Sequence, residues 1–197
     1  MVPTLSTIGL SRTHICRFGA PAIHAVDPAI FSRRYFMRCM ACGFCNDQCC
    51  NHGVDIDVGN AERLIALGPE FEARVGVPRE NWFSTAPETD LEFPTGGYLR
   101  TQVRGGKCVF AARGGRGCII HAYCFEKNLD YHALKPLVSI LFPLTFENGV
   151  LVPSSEIADG SLVCGGNGPT LYDGVREELR YYFGDDFVCE LDQLARR

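Results

Sequence analysis

The sequence predicts an α+β fold: a small single domain with a short antiparallel sheet, surrounding helices and a cysteine-ligated metal centre. Three observations lead there. Two β-prone runs, 98–103 and 107–112, are separated by a turn containing Gly105-Gly106. Toward the C-terminus, Thr170 stands where it caps a helix and Gly184 where it stops one. Five of the 11 cysteines fall between Cys39 and Cys50. At 197 residues the chain is long enough to bury a core without disulfide help.

Taken in order, residues 1–38 mix apolar and turn residues without a clear period. They read as a covering segment with short strands, before Asp27-Pro28 opens a helical turn toward Tyr35. The alternation of apolar and acidic residues over 54–58 suits a short strand. Asn60 then caps a helix through Leu67, stopped by Gly68-Pro69, and 70–75 adds another helical segment. Residues 76–95 read as a Pro-rich connection. After the paired strands, 113–117 is a turn, and 118–125 begins a helix. On it Cys118, His121 and Cys124, three residues apart, are expected over one broad face. A second β-prone region covers 137–144 and 149–153, and 165–169 is a tight loop. A helix from Thr170 to Tyr182 or Phe183 and a final helix over 186–194 complete the chain. This divides the single domain of 1–197 into the N-terminal cover, a metal-binding core at 39–168 and C-terminal helices at 169–197.

With 46% hydrophobic and 21% charged residues, the composition is that of an ordinary globular protein, neither disordered nor fibrous. The net charge of −4 provides no global attraction to nucleic acid or to an anionic membrane. Charge is nonetheless uneven: residues 93–125 contain no Asp or Glu but carry Arg100, Arg104, Lys107, Arg113 and Arg116. The N-terminus lacks a basic start followed by a sustained apolar run, so no secretory signal is expected. No apolar stretch approaches the roughly 20 residues needed to cross a bilayer. These features predict a soluble, cytoplasmic protein, and a reducing compartment turns clustered cysteines toward metal rather than disulfides.

The most specific feature is Cys39-Met-Ala-Cys42-Gly-Phe-Cys45-Asn-Asp-Gln-Cys49-Cys50. Its first four cysteines follow the C-x2-C-x2-C-x3-C spacing of bacterial ferredoxins, in which a tight loop aims several thiolates at one cluster. Each Cys-x2-Cys pair also suits zinc, because the intervening turn lets two sulfurs reach one tetrahedral ion. Against a ferredoxin repeat stand Cys50, where ferredoxins carry proline, and the lack of a second such run. Two other readings compete. Free cysteines are often small buried hydrophobes, and a Cys-x2-Cys pair can form a redox disulfide when it opens a helix in a βαβ setting, a setting that the flanking pattern does not provide. A second group follows, Cys108, Cys118, His121 and Cys124, with Cys164 later in a glycine loop. A hairpin that packs on the first group brings these long-range ligands to it. The acid-free basic segment then offsets thiolate charge or simply forms a solvated cationic face. His52 and His121 are further ligand candidates, whereas Cys16 and Cys189 read as ordinary buried residues.

Four elements in this order resemble the YkgJ-like CxxCxxCC family of zinc- or iron-chelating proteins. They are the Cys39 to Cys50 cluster, Gly106-Lys-Cys108-Val-Phe followed by Cys118-Ile-Ile-His121, Lys135-Pro136 to Phe142-Pro143, and Cys164-Gly-Gly-Asn-Gly168. The resemblance spans residues 39–168 and implies a compact cysteine-ligated metal domain, with a relative in flagellin lysine methylases. Here the double cysteine follows Cys45 after a three-residue gap rather than sooner, and 137–141 lacks the cysteine that the family tends to place there.

The expected ligands are therefore Cys39, Cys42, Cys45, Cys49, Cys50, Cys108, Cys118, Cys124 and Cys164. The expected cofactor is an iron–sulfur cluster, [4Fe-4S] by its spacing, serving electron transfer with a redox partner or an unidentified reaction. The alternatives are a zinc-binding structural or interaction module and a metal-trafficking protein. Glycine-rich cofactor loops, a Gly-x-Ser-x-Gly elbow and a Walker loop are missing from the sequence, so no substrate or catalytic residue is assigned.

Overall fold

The computed structural model describes residues 7–36, 44–84 and 86–197. Secondary structure is mixed α+β, as expected. The chain divides into two compact units, Met1–Met37 with Leu141–Arg197, and Arg38–Ile140.

The first unit is built on a four-stranded sheet in the order Ile8–Ile15, Ala22–Val26, Val150–Pro153, Leu144–Glu147. Its outer pairs are antiparallel, but Ala22–Val26 and Val150–Pro153 run parallel, so this sheet is mixed rather than antiparallel. Asn148-Gly149, with φ of 52° and 73°, makes the tight turn of the C-terminal hairpin. Asp27 caps the short 3-10 turn Pro28–Phe31 by accepting from the Ala29 amide. Arg34–Tyr35 pairs irregularly with Gly165–Thr170, a segment expected as a loop; only its two ends are in register, which suits a glycine-rich strand.

Thr170 caps the helix Leu171–Phe183, its hydroxyl accepting from the Asp173 amide at 3.1 Å. Leu171, Val175 and Leu179 recur every four residues and are buried, giving the helix one apolar stripe. The last helix, Asp185–Ala195, is tied to it by the Tyr172 hydroxyl donating to Asp192 Oδ1 at 2.6 Å and by Arg176–Asp192 at 2.6 Å.

The second unit contains a three-stranded antiparallel sheet with Gly97–Arg100 between Asp55–Asp57 and Glu88–Thr89. A separate hairpin pairs Val103–Arg104 with Lys107–Cys108. Helices Val58–Ile65, Pro69–Val75 and Ile119–Lys127 pack with these around Ile56, Leu64, Phe71, Trp82, Phe110 and Tyr123. The Phe71 ring lies 5.4 Å from Trp82 and 4.9 Å from Tyr123, and Trp82 Nε1 donates to the Val77 carbonyl at 2.8 Å. A large aromatic is thus buried without orphaning its one polar atom.

Two further expectations change. The first helix begins at Val58 because Asp57, not Asn60, is its cap; the Asp57 carboxylate accepts from the Asn60 amide at 3.3 Å. Leu137–Leu141 is a helical turn rather than a strand, closed by the Ser139 and Ile140 amides on the Pro136 carbonyl. A short apolar run fits either period, and here the preceding proline favours the helix start.

Candidate metal centre

The second cysteine-bearing half of the 39–50 segment folds as a tight loop. Asn46 and Asp47 both take left-handed backbone angles, φ 50° and 55°, which Asn and Asp tolerate better than other side chains. The chain doubles back there, and Gln48–Cys50 form a 3-10 turn closed by the Cys50 amide on the Asp47 carbonyl at 2.8 Å. The buried Asp47 carboxylate accepts from Arg116 Nε at 3.0 and 2.9 Å and from the Gly117 amide at 3.4 Å. The same guanidinium places Nη2 3.2 Å from Cys45 Sγ, and Lys107 Nζ donates to the Asn46 carbonyl at 3.2 Å. The loop is therefore clasped by the segment that carries Cys108 and Cys118.

Each of those two cysteines has its own support. The hairpin turns at Gly105-Gly106, where both residues have positive φ (60° and 76°), the requirement of a type I′ turn. At its end, Cys108 Sγ donates to Thr101 Oγ1 at 3.4 Å, and that oxygen accepts from the Val54 amide at 2.8 Å. Residue 53 must be glycine: φ is +69°, and a Cβ would stand 2.5 Å from the Thr101 carbonyl oxygen. Arg100 holds the same stretch, reaching Asp55 at 2.6 Å and the His52 carbonyl at 3.0 Å. Cys118 bridges to Ala111 and precedes the helix Ile119–Lys127 as its N-cap residue. Cys49 and Cys50, leaving the loop into 51–55, are thereby led toward Cys108 and Cys118.

The electrostatics tie several of the thiols to one another. The Cys50 thiol is pushed far up, first by its hydrogen bond with Cys49, then by burial, then by the charges of Cys49, Cys118 and Cys108. Burial pushes Cys108 up as well, with Cys118 adding to it, while bonds from Thr101 and the Phe110 and Ala111 amides oppose the rise. Cys124 is raised to about 11, mainly by burial and then by Cys118 and Asp130. Cys49, Cys108 and Cys118 thus all act on the half-buried Cys50, and ionising Cys50 beside them is unfavourable.

Of the expected ligands, Cys49, Cys108 and Cys118 lie near enough to Cys50 to act on its thiol, and Cys45 lies against Arg116. Cys124 lies within the apolar core. His121 is exposed with its ring 4.9 Å from Tyr131, whereas Cys124, three residues on, is buried. Cys164 is buried in the other unit, where its carbonyl accepts from the Phe36 amide at 3.0 Å. Cys39 and Cys42 fall outside the described residues. Cys16 is buried, but Cys189 is exposed on the last helix rather than buried. His52 is exposed, with its carbonyl engaged by Arg100.

Sequence reasoning missed the Asp47–Arg116 clasp. Its signal was the adjacent pair Asn46-Asp47, two residues suited to left-handed turns inside a cysteine run. Also missed was Asn51, whose Oδ1 is buried with no hydrogen-bond partner directly after Cys50.

Among the described residues, no three His, Cys, Asp or Glu side chains stand as a ready-made ligand set for one ion. The cysteines of this region are free thiols, and the buried Asp47 carboxylate is committed to Arg116. No described helix is long and apolar enough to cross a membrane. Comparison of the chain with known protein families, with characterised proteins and with solved structures gives no match.

Proposed function

We propose that this chain is a cysteine-ligated metal protein of the YkgJ-like kind whose second unit holds an iron–sulfur cluster used in electron transfer or in a reaction carried by the cluster. The observation that supports this most is the crowding at Cys50, where Cys49, Cys108 and Cys118 all raise the cost of ionising one buried thiol. Cys49, Cys50, Cys108 and Cys118 would hold the group, with Cys39, Cys42 and Cys45 as the remaining thiols of the motif. When bound, a cluster supplies one-electron chemistry. The chain's own contribution is to hold the thiols together, exclude water from them and place the Arg116 guanidinium against Cys45 Sγ at 3.2 Å, where a cation lowers the energy of a thiolate.

Zinc is the second reading, since a set of four sulfurs without a carboxylate or an open position suits a closed structural site. Anaerobic purification followed by metal and sulfide analysis and a visible spectrum separates the two. Iron and acid-labile sulfide in comparable amounts, with charge-transfer absorption, support the cluster. Zinc with a featureless visible spectrum supports the structural site, and metal-free protein from every preparation would sink both.

A further inference from the structure

The hairpin and the glycine turn beside the sulfur group enclose a cavity of about 330 Å3, at the small end of the range for ligand sites. Its wall includes Arg104, Lys107 and Arg113, together with Asn46 and Cys108, and no carboxylate. Arg104 and Arg113 are exposed and make no hydrogen bond or ion pair among the described residues, whereas Arg100 is committed to Asp55 and Arg116 to Asp47. Lys107 is half-buried and its ammonium touches only a carbonyl, that of Asn46 at 3.2 Å. Because residues 93–125 contain no Asp or Glu, nothing nearby in sequence neutralises these cations.

We propose that this cavity binds a small oxyanion ligand, a phosphate- or carboxylate-bearing molecule held by Arg104, Lys107 and Arg113 beside Cys108. Like-signed charges lining a concave, low-dielectric wall reinforce one another's potential and concentrate anions. Guanidinium groups add the planar, paired donors that match phosphate and carboxylate oxygens. Among the described residues the guanidinium that touches a thiol is that of Arg116, on Cys45, and not that of Arg104 or Arg113. Three cations in a small recess, on a chain of net charge −4, fit a compact ligand better than a polynucleotide backbone.

The test is titration calorimetry of the full-length, metal-analysed protein with pyrophosphate and, separately, with citrate, at low and at physiological ionic strength. Saturable binding near one equivalent is expected for at least one probe, and which one binds identifies the ligand as phosphate- or carboxylate-bearing. The double variant Arg104→Gln/Arg113→Gln should bind about tenfold more weakly or worse. Arg12→Gln, which alters an exposed arginine of the other unit, should bind as the parent does. Both arginines of the double variant are exposed, and circular dichroism verifies its fold. No saturable heat with either probe, or equal weakening by Arg12→Gln, overturns the proposal. So does unchanged probe binding in the double variant accompanied by lost metal, which would assign the two arginines to the thiolates. Metal analysis of the same samples keeps the outcomes apart: probe binding can fail with the metal centre intact, and a metal-free protein can still bind the probe.

Discussion

In the unit that carries the C-terminal helices, charged groups find partners at once: Arg176 faces Asp192 at 2.6 Å, and His14 Nε2 lies 2.9 Å from Glu190 Oε2, which also accepts from the Ser11 hydroxyl. In the second unit, Arg104 and Arg113 face no carboxylate among the described residues of their cavity, and the Cys50 thiol is pushed up by Cys49, by burial and by Cys118 and Cys108. The first arrangement lowers its own electrostatic energy without help. The second is left incomplete by the protein's own groups, and an added cation on the sulfurs and an added anion beside them would each complete it. The contrast teaches where to look for function: in the corner of the second unit where Arg104 and Arg113 stand without a carboxylate, although Arg100 and Arg116 nearby are paired.

The largest expected effect is all-or-none and falls on one unit only. Cys49→Ser, Cys50→Ser or Cys118→Ser should strip most metal from the purified protein, while Cys16→Ala and Cys189→Ala should leave the metal-to-protein ratio nearly unchanged. Equal loss from both sets would erase the difference between the units. Next comes the core of the second unit: Phe71→Ala removes the ring that touches both Trp82 and Tyr123 and should cost about 3–5 kcal/mol in chemical denaturation. A loss below 1 kcal/mol would mean that the aromatic cluster contributes little.

In the first unit the effects are smaller and depend on pH. The Arg176 guanidinium and the Tyr172 hydroxyl hold the Asp192 carboxyl well below the usual carboxylate range. Because its pKa is lowered on folding, the pair stabilises the protein above the unfolded value of about 3.9, and the contribution is lost as pH falls below it toward the folded value. Asp192→Asn should therefore destabilise by on the order of 1 kcal/mol at neutral pH, allowing for solvent screening, with the gap from wild type closing in acid. A gap independent of pH would assign the effect to packing. Thr170→Ala, which removes the cap of the Leu171–Phe183 helix, should cost roughly 0.5–1 kcal/mol in thermal or urea unfolding. No measurable change would show that the neighbouring strand end, not the cap, fixes the helix start.

What could be read from the sequence was local. Asp27 before Pro28, Thr170 and Gly184 mark their helices because capping depends on one or two residues, and Gly105-Gly106 marks its hairpin because few residues tolerate successive positive φ. Asn148-Gly149 carried an equally local turn signal, yet 137–144 was assigned to the flanking strand because an apolar run of that length fits both periods. The parallel pairing of Ala22–Val26 with Val150–Pro153 had no local sign, since the strands lie far apart in the chain. The same holds for Arg116 on Asp47, where neither side chain announces its partner.

The separation of Asp47 from Arg116, 69 positions along the chain, sets an order of events during synthesis. When Cys45, Cys49 and Cys50 leave the ribosome, the cation that will bind Asp47 and the sulfurs of Cys108 and Cys118 have not yet been made. At about 5–20 residues per second the delay is several seconds, long compared with the microseconds in which a hairpin forms. During that interval the loop's thiols are unclasped and open to oxidants or to adventitious metal. Closure of the loop therefore belongs to the end of this unit's synthesis, after the segment from Cys108 to Arg116 has emerged and Arg116 has met Asp47.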